Sequence, residues 1–516
     1  MKDEDIVGTA VAEVLPKYDR VWFKVPHLLQ LNLILIIPLL SSSVAGYDGS
    51  MMNGLQSTAQ WKSYFGHPTG SILGLVNAAQ SIGSVISLPF IGILSDKIGR
   101  KMTLLAGAIT IIAASIIQTA SVKYGMFVFA RVVVGIGSML VVQPSPMLIT
   151  ELCYPTHRGK YTSLFWTLYY LGAILSRRMD NIRNPKAPHQ QLGVACAVHR
   201  AGRLPCHPSH ILVAGTGIPK ARWLIANGRS HEAEQILARF HTGGDRTHPL
   251  IQFEVAEISK AIELEKVAAD TKWSALISTP GNRRRTFIAV CVGGFAQWNG
   301  VAVVSYYLTL VLDTVGVTNP DTQTLINGIL QLFNFAAAGS AAFLVDRLGR
   351  RTLFLWSGFG MLVSFIIWTA CSAEFDKTNS NSLGIAVIAF IFIYFASYDC
   401  AFTPLLLGYP TEIFPYSLRS KGLTVELLTV YGSLIILAFV NPIALENIGW
   451  HYYIVFCCLL AIFFAVTWFC FPETKGYSLE EIAEVFDGPG RVTRDVEVFE
   501  EKGRKGDAVH EEGLER

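Results

Sequence analysis

Apolar residues fall in eleven long blocks along this chain, most of them close to the roughly 20 positions that a helix needs to cross a bilayer. Clear blocks lie near residues 29–49, 71–95, 102–121 and 123–144, and a shorter one covers 161–176. Six more lie near 286–312, 325–345, 352–373, 384–408, 424–444 and 451–471. The stretch between the two groups is charged and amphipathic, as in "RSHEAEQILARFH" and "VAEISKAIELEKVAAD", and predicts helices outside the membrane. From Pro472 the chain is charged again. The pattern predicts an all-α membrane protein in five parts. They are an N-terminal segment (1–28), a first bundle (29–218), a helical linker (219–285), a second bundle (286–471) and a tail (472–516).

Lysine and arginine near the span ends predict the sidedness, because such clusters stay on the cytoplasmic side. Lys17, Arg20 and Lys24 precede the first block, which predicts a cytoplasmic N-terminus. Lys97, Arg100 and Lys101 follow the second block, and Arg158 and Lys160 follow the fourth. Arg283, Arg284 and Arg285 precede the block at 286, and Arg347, Arg350 and Arg351 follow the next. These clusters share one side only if an even number of spans separates Lys160 from Arg283. The block at 161–176 is one, so a second must lie within 177–218. The residues there do not look like a span. "RRMDNIRNPKAPHQQ" (177–191) holds five formal charges and two prolines, and only "ILVAGTGI" (211–218) is apolar. Eight residues rise about 12 Å as a helix against a hydrocarbon core of about 30 Å. The sixth span is therefore predicted to be degenerate. It must either leave the later half inverted or draw charges into the bundle at about 3 kcal/mol each.

Composition fits this picture and narrows the chemistry. The chain is 51% hydrophobic and 16% charged, against about 25% charged in soluble domains. A net charge of +3 is too small to suggest nucleic acid. Nine cysteines form no CxxC pair, which favours neither a disulfide framework nor a zinc site. Cys206, His207 and His210 in "CHPSH" carry metal-ligating atoms, but they fall in the degenerate stretch, and no metal site is predicted. No nucleophile–base pair or phosphate-binding glycine loop is present, so we expect neither an enzyme nor a cofactor. The polar, acidic start argues against a cleaved signal peptide.

The chain also repeats itself. "SDKIGRK" (95–101) and "VDRLGRR" (345–351) each follow the second block of their half. "TELCYPTHRGK" (150–160) and "TEIFPYSLRSKG" (411–422) each follow the fourth. Gly99 and Gly349 suit tight turns between helices. Asp96, Arg100, Glu151 and Arg158 in the first half match Asp346, Arg350, Glu412 and Arg419 in the second. Such clusters can lock helix ends together on one face and release them when the halves rock. Asp48, in "GYDGSMMNG", places an acid at membrane depth, where it needs a function or a partner. Arg131, in "FARVVVGIGS", is the natural partner. Burial favours the protonated acid and a neighbouring cation favours the carboxylate, so the pair can load and release a proton. A tolerated acid near the water interface is the alternative.

These motifs resemble those of the major facilitator superfamily, and in detail its sugar-porter branch. The resemblance rests on "GYDGSMMNG", "DKIGRK", "ARVVVGIGS", "TELCYPTHRG", "RWLIANGR", "QWNGVAVVSYYL", "DRLGRR", "TEIFPYSLRSKG" and "PETKGYSLEEI". "QWNGVAVVSYYL" and "NPIALENIGW" look most like the fungal lactose-permease-like group. The resemblance implies two six-helix bundles around a central cavity that opens alternately to each side. It implies proton coupling for Asp48 and Arg131. Amides and aromatic rings suit a neutral, hydroxyl-rich sugar. On that ground Gln297, Trp298, Asn299, Tyr306, Tyr307, Asn327, Gln331 and Asn334 are the expected substrate residues, with interhelical glue as the alternative for the amides.

The sequence departs from that pattern in places. Val301 or Ala302 stands where the family has an asparagine, Leu407 stands for a tryptophan, and the fifth span lacks the family's glutamine. The pattern is lost from 177 to 221 and returns at Arg222. A reading-frame slip would account for the loss: codons for "LGVACAV" (192–198), read one base later, can spell the family's Trp-x-Trp-Arg-x-Pro. Codons for "PKA" need the opposite offset, so one slip alone is not a full account. The leading expectation is a monomeric, proton-coupled transporter of a disaccharide such as lactose, or of a hexose, in the plasma membrane. Its partners would be the sugar, the proton and the lipid bilayer. A passive facilitator, a non-transporting sugar sensor and an inactive product of a damaged gene are the alternatives. The tail of about 40 residues after Gly476 argues against a sensor.

Overall fold

A computed structural model describes residues 14–16, 22–57, 59–180, 221–269, 272–475 and 479–488, and every regular element among them is a helix. In the first half, α1 (Pro26–Leu39) and α2 (Ser41–Ser57) form one crossing. Next come α3 (Gly70–Ile98) and α4 (Arg100–Thr119). The fourth crossing is α5 (Tyr124–Val142) continued by α6 (Pro144–Leu152), and the fifth is α7 (Arg158–Asp180). The linker holds α8 (Ala221–Ala226), α9 (Ser230–His241) and α10 (Pro249–Ala269). The second half begins with α11 (Pro280–Trp298) and α12 (Val301–Asp313), followed by α13 (Pro320–Leu348) and α14 (Arg350–Thr378). It ends with α15 (Asn381–Leu405), α16 (Gly408–Ile413), α17 (Tyr416–Ile448) and α18 (Tyr452–Cys470), and α19 (Leu479–Asp487) follows.

The helices extend past the apolar blocks at most ends. Hydropathy reports only the stretch in hydrocarbon, while backbone hydrogen bonding carries a helix on into polar sequence. The fifth helix shows this: its backbone continues through Asp180, beyond the expected end at 176. Arginine and methionine are good helix formers and do not stop it. The degenerate sixth span and the "CHPSH" cluster fall in 181–220, outside the described residues.

Many large apolar side chains point outward, among them Phe90, Trp356, Ile385 and Phe469. In water such a surface would be unfavourable, but lipid is the natural solvent for it. Among the described residues, eight helical stretches are long and apolar enough to cross a membrane, and one of them, Ser417–Cys470, contains two crossings. The protein is a multi-pass membrane protein.

The two halves meet chiefly along α3 against α17 and α7 against α13. On the face opposite the basic loops, α2 also packs on α12. There Met52, Leu55 and Val76 share one apolar cluster with Val303, Val304 and Leu308. The Gly70 N–H of the first half donates to Glu446 of the second at 3.1 Å, and within the second half the Tyr307 hydroxyl ties α12 to α17 by donating to the Ala438 carbonyl at 2.6 Å. On the basic face, α6 and α16 are not packed against each other to any comparable extent. The molecule is thus sealed on one face by apolar packing between the halves. The linker is fastened separately: His241 lies 2.8 Å from the Glu254 carboxylate through Nδ1 and 3.1 Å from the Leu152 carbonyl through Nε2.

Candidate functional site

A cavity of about 230 Å³ lies between the halves. The first half contributes Gln80, Ser81 and Ser84 from α3, Ser138 from α5, and Trp166, Tyr169 and Tyr170 from α7. The second half contributes Gln297, Tyr306, Gln331, Asn334, Tyr398, Thr403 and Tyr431. The lining therefore joins amides and hydroxyls with flat aromatic faces, and no charged side chain is among its residues. Such a wall suits a neutral ligand carrying many hydroxyl groups.

Four of the eight expected substrate residues line this cavity: Gln297, Tyr306, Gln331 and Asn334. Asn334 is fully buried, and neither its amide nitrogen nor its oxygen has a hydrogen-bond partner among the described residues. A buried amide left open at a cavity wall is costly in an empty protein and natural in one that binds a polar ligand. Gln331 donates to Asn327 at 3.2 Å, so Asn327 stands behind the wall.

Trp298, Asn299 and Tyr307 are not in the lining. Asn299 has another task. The crossing made by α11 and α12 breaks at Gly300, whose φ is +101°. A Cβ there would also lie 2.5 Å from the Phe365 ring. The Asn299 Oδ1 accepts the Val301 N–H at 2.9 Å and the Tyr394 hydroxyl at 2.9 Å, so it caps the second segment of the broken helix. Tyr307 sits where α12 departs from helical geometry and belongs to the sealed face.

Asp48 and Arg131 are both buried, on α2 and α5, and close enough to interact electrostatically. Neither lines the cavity, but both border it. Gly49 and Ser50 beside Asp48 are wall residues. Arg131 Nη2 donates to the Gln80 Oε1 at 2.9 Å, and Gln80 is a wall residue. One oxygen of Asp48 and two nitrogens of Arg131 have no hydrogen-bond partner among the described residues.

The repeated loop motifs form ion pairs within each half. Arg100 pairs with Glu151 at 3.2 Å, and Arg350 with Glu412 at 3.0 Å. Arg419 lies half-buried near the start of α17. The side chains of Asp96, Arg158 and Asp346 are outside the described residues. Arg222 also reaches Glu151, at 3.6 Å, and the Trp223 ring covers Gly99, so the chain regains its pattern at Arg222 in space as well as in sequence.

Sequence reasoning passed over three polar residues. Gln80 is one. Asp399 is fully buried on α15 and accepts from Tyr170 at 2.5 Å and from Thr403 at 2.6 Å. Glu426 is fully buried on α17, packed against Gly293, with neither oxygen hydrogen-bonded among the described residues. Each is a polar residue inside an apolar block, and the rule that singled out Asp48 would have found them all.

The family model described as "Sugar (and other) transporter" matches residues 34–486. This chain belongs to that family. It is similar to an "MFS glucose transporter" of Aspergillus flavus, with 27% identity covering 87% of this chain and 88% of the relative. It is also similar to a "High-affinity glucose transporter" of Kluyveromyces lactis, with 27% identity covering 91% of this chain and 88% of the relative. Among solved structures it resembles the proton:xylose symporter XylE bound to 6-bromo-6-deoxy-D-glucose. That likeness has a TM-score of 0.72 at 22% identity, and covers 88% of this chain and 99% of the other. The fold is that of the major facilitator superfamily, with five crossings of the first bundle and six of the second among the described residues, and the protein is a sugar transporter rather than an enzyme.

Proposed function

We propose that this protein carries a hexose-sized sugar across the plasma membrane by alternating access, coupled to a proton. In this reading the basic loops and both termini face the cytoplasm. The observation that carries it is the cavity: a neutral wall of amides, hydroxyls and rings, with the open amide of Asn334 in it and a buried acid–base pair directly behind it. For the ligand we favour a single sugar ring over a disaccharide. The names of the two fungal relatives, both glucose transporters, support the same choice.

The coupling runs through Gln80. With Asp48 ionised, its charge and that of Arg131 offset each other. When Asp48 takes up a proton, the Arg131 cation acts on Gln80 without that counter-charge. The polarised amide then becomes a stronger donor toward a sugar hydroxyl. Sugar and proton thus favour each other's binding, and the loaded site is the one from which the halves rock.

Radiolabelled D-glucose uptake at two external pH values tests this in cells that lack their own sugar uptake. The native chain should accumulate glucose faster at acid external pH and stop when the proton gradient is collapsed. Asp48→Asn should lose uphill accumulation while still exchanging sugar across the membrane. Full accumulation by that variant would rule out the coupling. Native uptake that persists without a gradient would make the protein a facilitator. The transcript across 177–221 should be sequenced first, because a frame slip there would leave this chain inactive and its corrected form active.

A further inference from the structure

The fifth crossing lacks the glutamine of its family, and Ala173 faces the cavity from that helix. The question is what holds the sugar on this side. The wall offers two hydroxyls there: Tyr170 from α7 in the first half, and Thr403 from α15 in the second. Both donate to the same oxygen of Asp399, at 2.5 Å and 2.6 Å. The one carboxylate oxygen is thus the shared acceptor of both hydroxyls. Asp399 itself lies behind the wall, fully buried, and its second oxygen has no hydrogen-bond partner among the described residues.

A hydroxyl has one hydrogen. Once Tyr170 and Thr403 have given theirs to Asp399, only their lone pairs are left for the cavity. We propose that Asp399 is a positioning residue that fixes Tyr170 and Thr403 as a paired acceptor for one donating hydroxyl of the sugar. The inference rests on the transporter reading. It replaces the missing amide, which could both donate and accept, with a seat that only accepts. The seat is therefore more selective: it takes a hydroxyl and rejects a group that cannot donate. Because Tyr170 and Thr403 come from opposite halves, the pair is also complete only while α7 and α15 stand together. Simple helix-to-helix glue would not need two hydroxyls, one from each half, on one oxygen.

The test uses the full chain in sugar-uptake-deficient cells, with radiolabelled D-glucose as the probe and its monodeoxy and monofluoro analogues as competitors. For the native protein, one ring position should stand out, where both deoxy and fluoro analogues compete about tenfold less well than glucose. Thr403→Val and Tyr170→Phe should each raise the KM for glucose about tenfold with little change in kcat, and should erase the preference at that position. Thr403→Ser keeps the hydroxyl and should keep both. Asp399→Leu, which removes the shared acceptor, should behave like Thr403→Val. If Thr403→Val and Asp399→Leu lower only the amount or the maximal rate of transport, and leave KM and the analogue profile native, the inference is overturned and the transporter reading stands. If the native chain, with its transcript verified, moves no glucose, the transporter reading fails and takes this inference with it.

Discussion

The two halves of this protein are alike at their basic ends and unlike at their centres. Arg100–Glu151 and Arg350–Glu412 are the same ion pair in the same place of each repeat, following turns at Gly99 (φ +86°) and Gly349 (φ +91°). Inside the membrane the likeness ends. At its centre the first half sets an acid beside a base, Asp48 and Arg131, whereas the second has two buried acids, Asp399 and Glu426. The second holds most of the amides, Gln297, Gln331 and Asn334. A rocking machine needs matched ends, because each half must swing against the other. It needs unmatched centres if one half is to hold a proton and the other a sugar. Repetition here serves the motion and divergence serves the chemistry.

The largest expected effect comes from breaking the charged centre unevenly. Arg131→Met leaves Asp48 buried without its cation. Stranding one member of a buried pair costs about 3–5 kcal/mol, and the double variant Asp48→Asn with Arg131→Met should recover most of that. Thermal unfolding of the detergent-purified protein would show it as a large drop in midpoint and its rescue. Uptake should be lost in both variants. Equal destabilisation by the single and double variants would mean that the two residues are not a pair. A smaller effect is expected on the amide side. Asn334→Ala removes a side chain that has no partner in the empty protein. It should leave the melting midpoint near native while raising the KM for glucose about tenfold, the cost of roughly one good hydrogen bond. A stability loss without a change in KM would make Asn334 part of the frame.

The sequence was informative about the elements and less so about their facing. Eleven crossings could be read because hydrocarbon demands long apolar blocks, and the matched ends because the loop motifs recur. Which amides face the ligand was only half legible. Asn299 and Asn334 look alike in sequence, each an amide in an apolar block. What separates them is the break at Gly300, which turns Asn299 back onto its own backbone. The Phe365 ring from α14 leaves no room for a Cβ at that break, a contact no local pattern reveals. Gln80 and Asp399 were legible by the rule used for Asp48 and were missed for want of applying it.

The matched ends are not identical in their surroundings, and the next test uses that. At Gly349 a Cβ would lie 2.7 Å from a Glu473 carboxylate oxygen, and that carboxylate accepts the Arg350 and Arg351 N–H groups at 2.8 Å and 3.1 Å. At Gly99 the nearest atoms to a Cβ would be those of the Trp223 ring, at 3.1 Å. Both glycines combine a positive φ with an extended ψ, a region that is essentially glycine's alone, so alanine at either adds strain of about 1–3 kcal/mol. Gly349→Ala should cost more, because it also displaces the carboxylate that caps α14 and sits on the favourable end of its dipole. Comparing the two melting midpoints decides it. A Gly99→Ala variant as unstable as Gly349→Ala would show that φ strain, not the Glu473 cap, governs both turns.

The smallest effect should come from the ion pairs that look most conspicuous. Glu412→Gln removes a charge from a pair whose side chains are 17% and 28% exposed. Pairs of that kind contribute about 0–1 kcal/mol, so the midpoint should hardly move. The same reasoning applies to Glu151→Gln at Arg100, where the side chains are 12% and 10% exposed and the effect should be somewhat larger. If these pairs are broken and remade as the halves rock, the rate is the better readout. Both variants should slow net uptake more than they shift stability, and the slowing should shrink in high salt, which screens the native pairs too. Unchanged rates in both variants would leave the repeated loops as fasteners within each half, with no part in opening and closing.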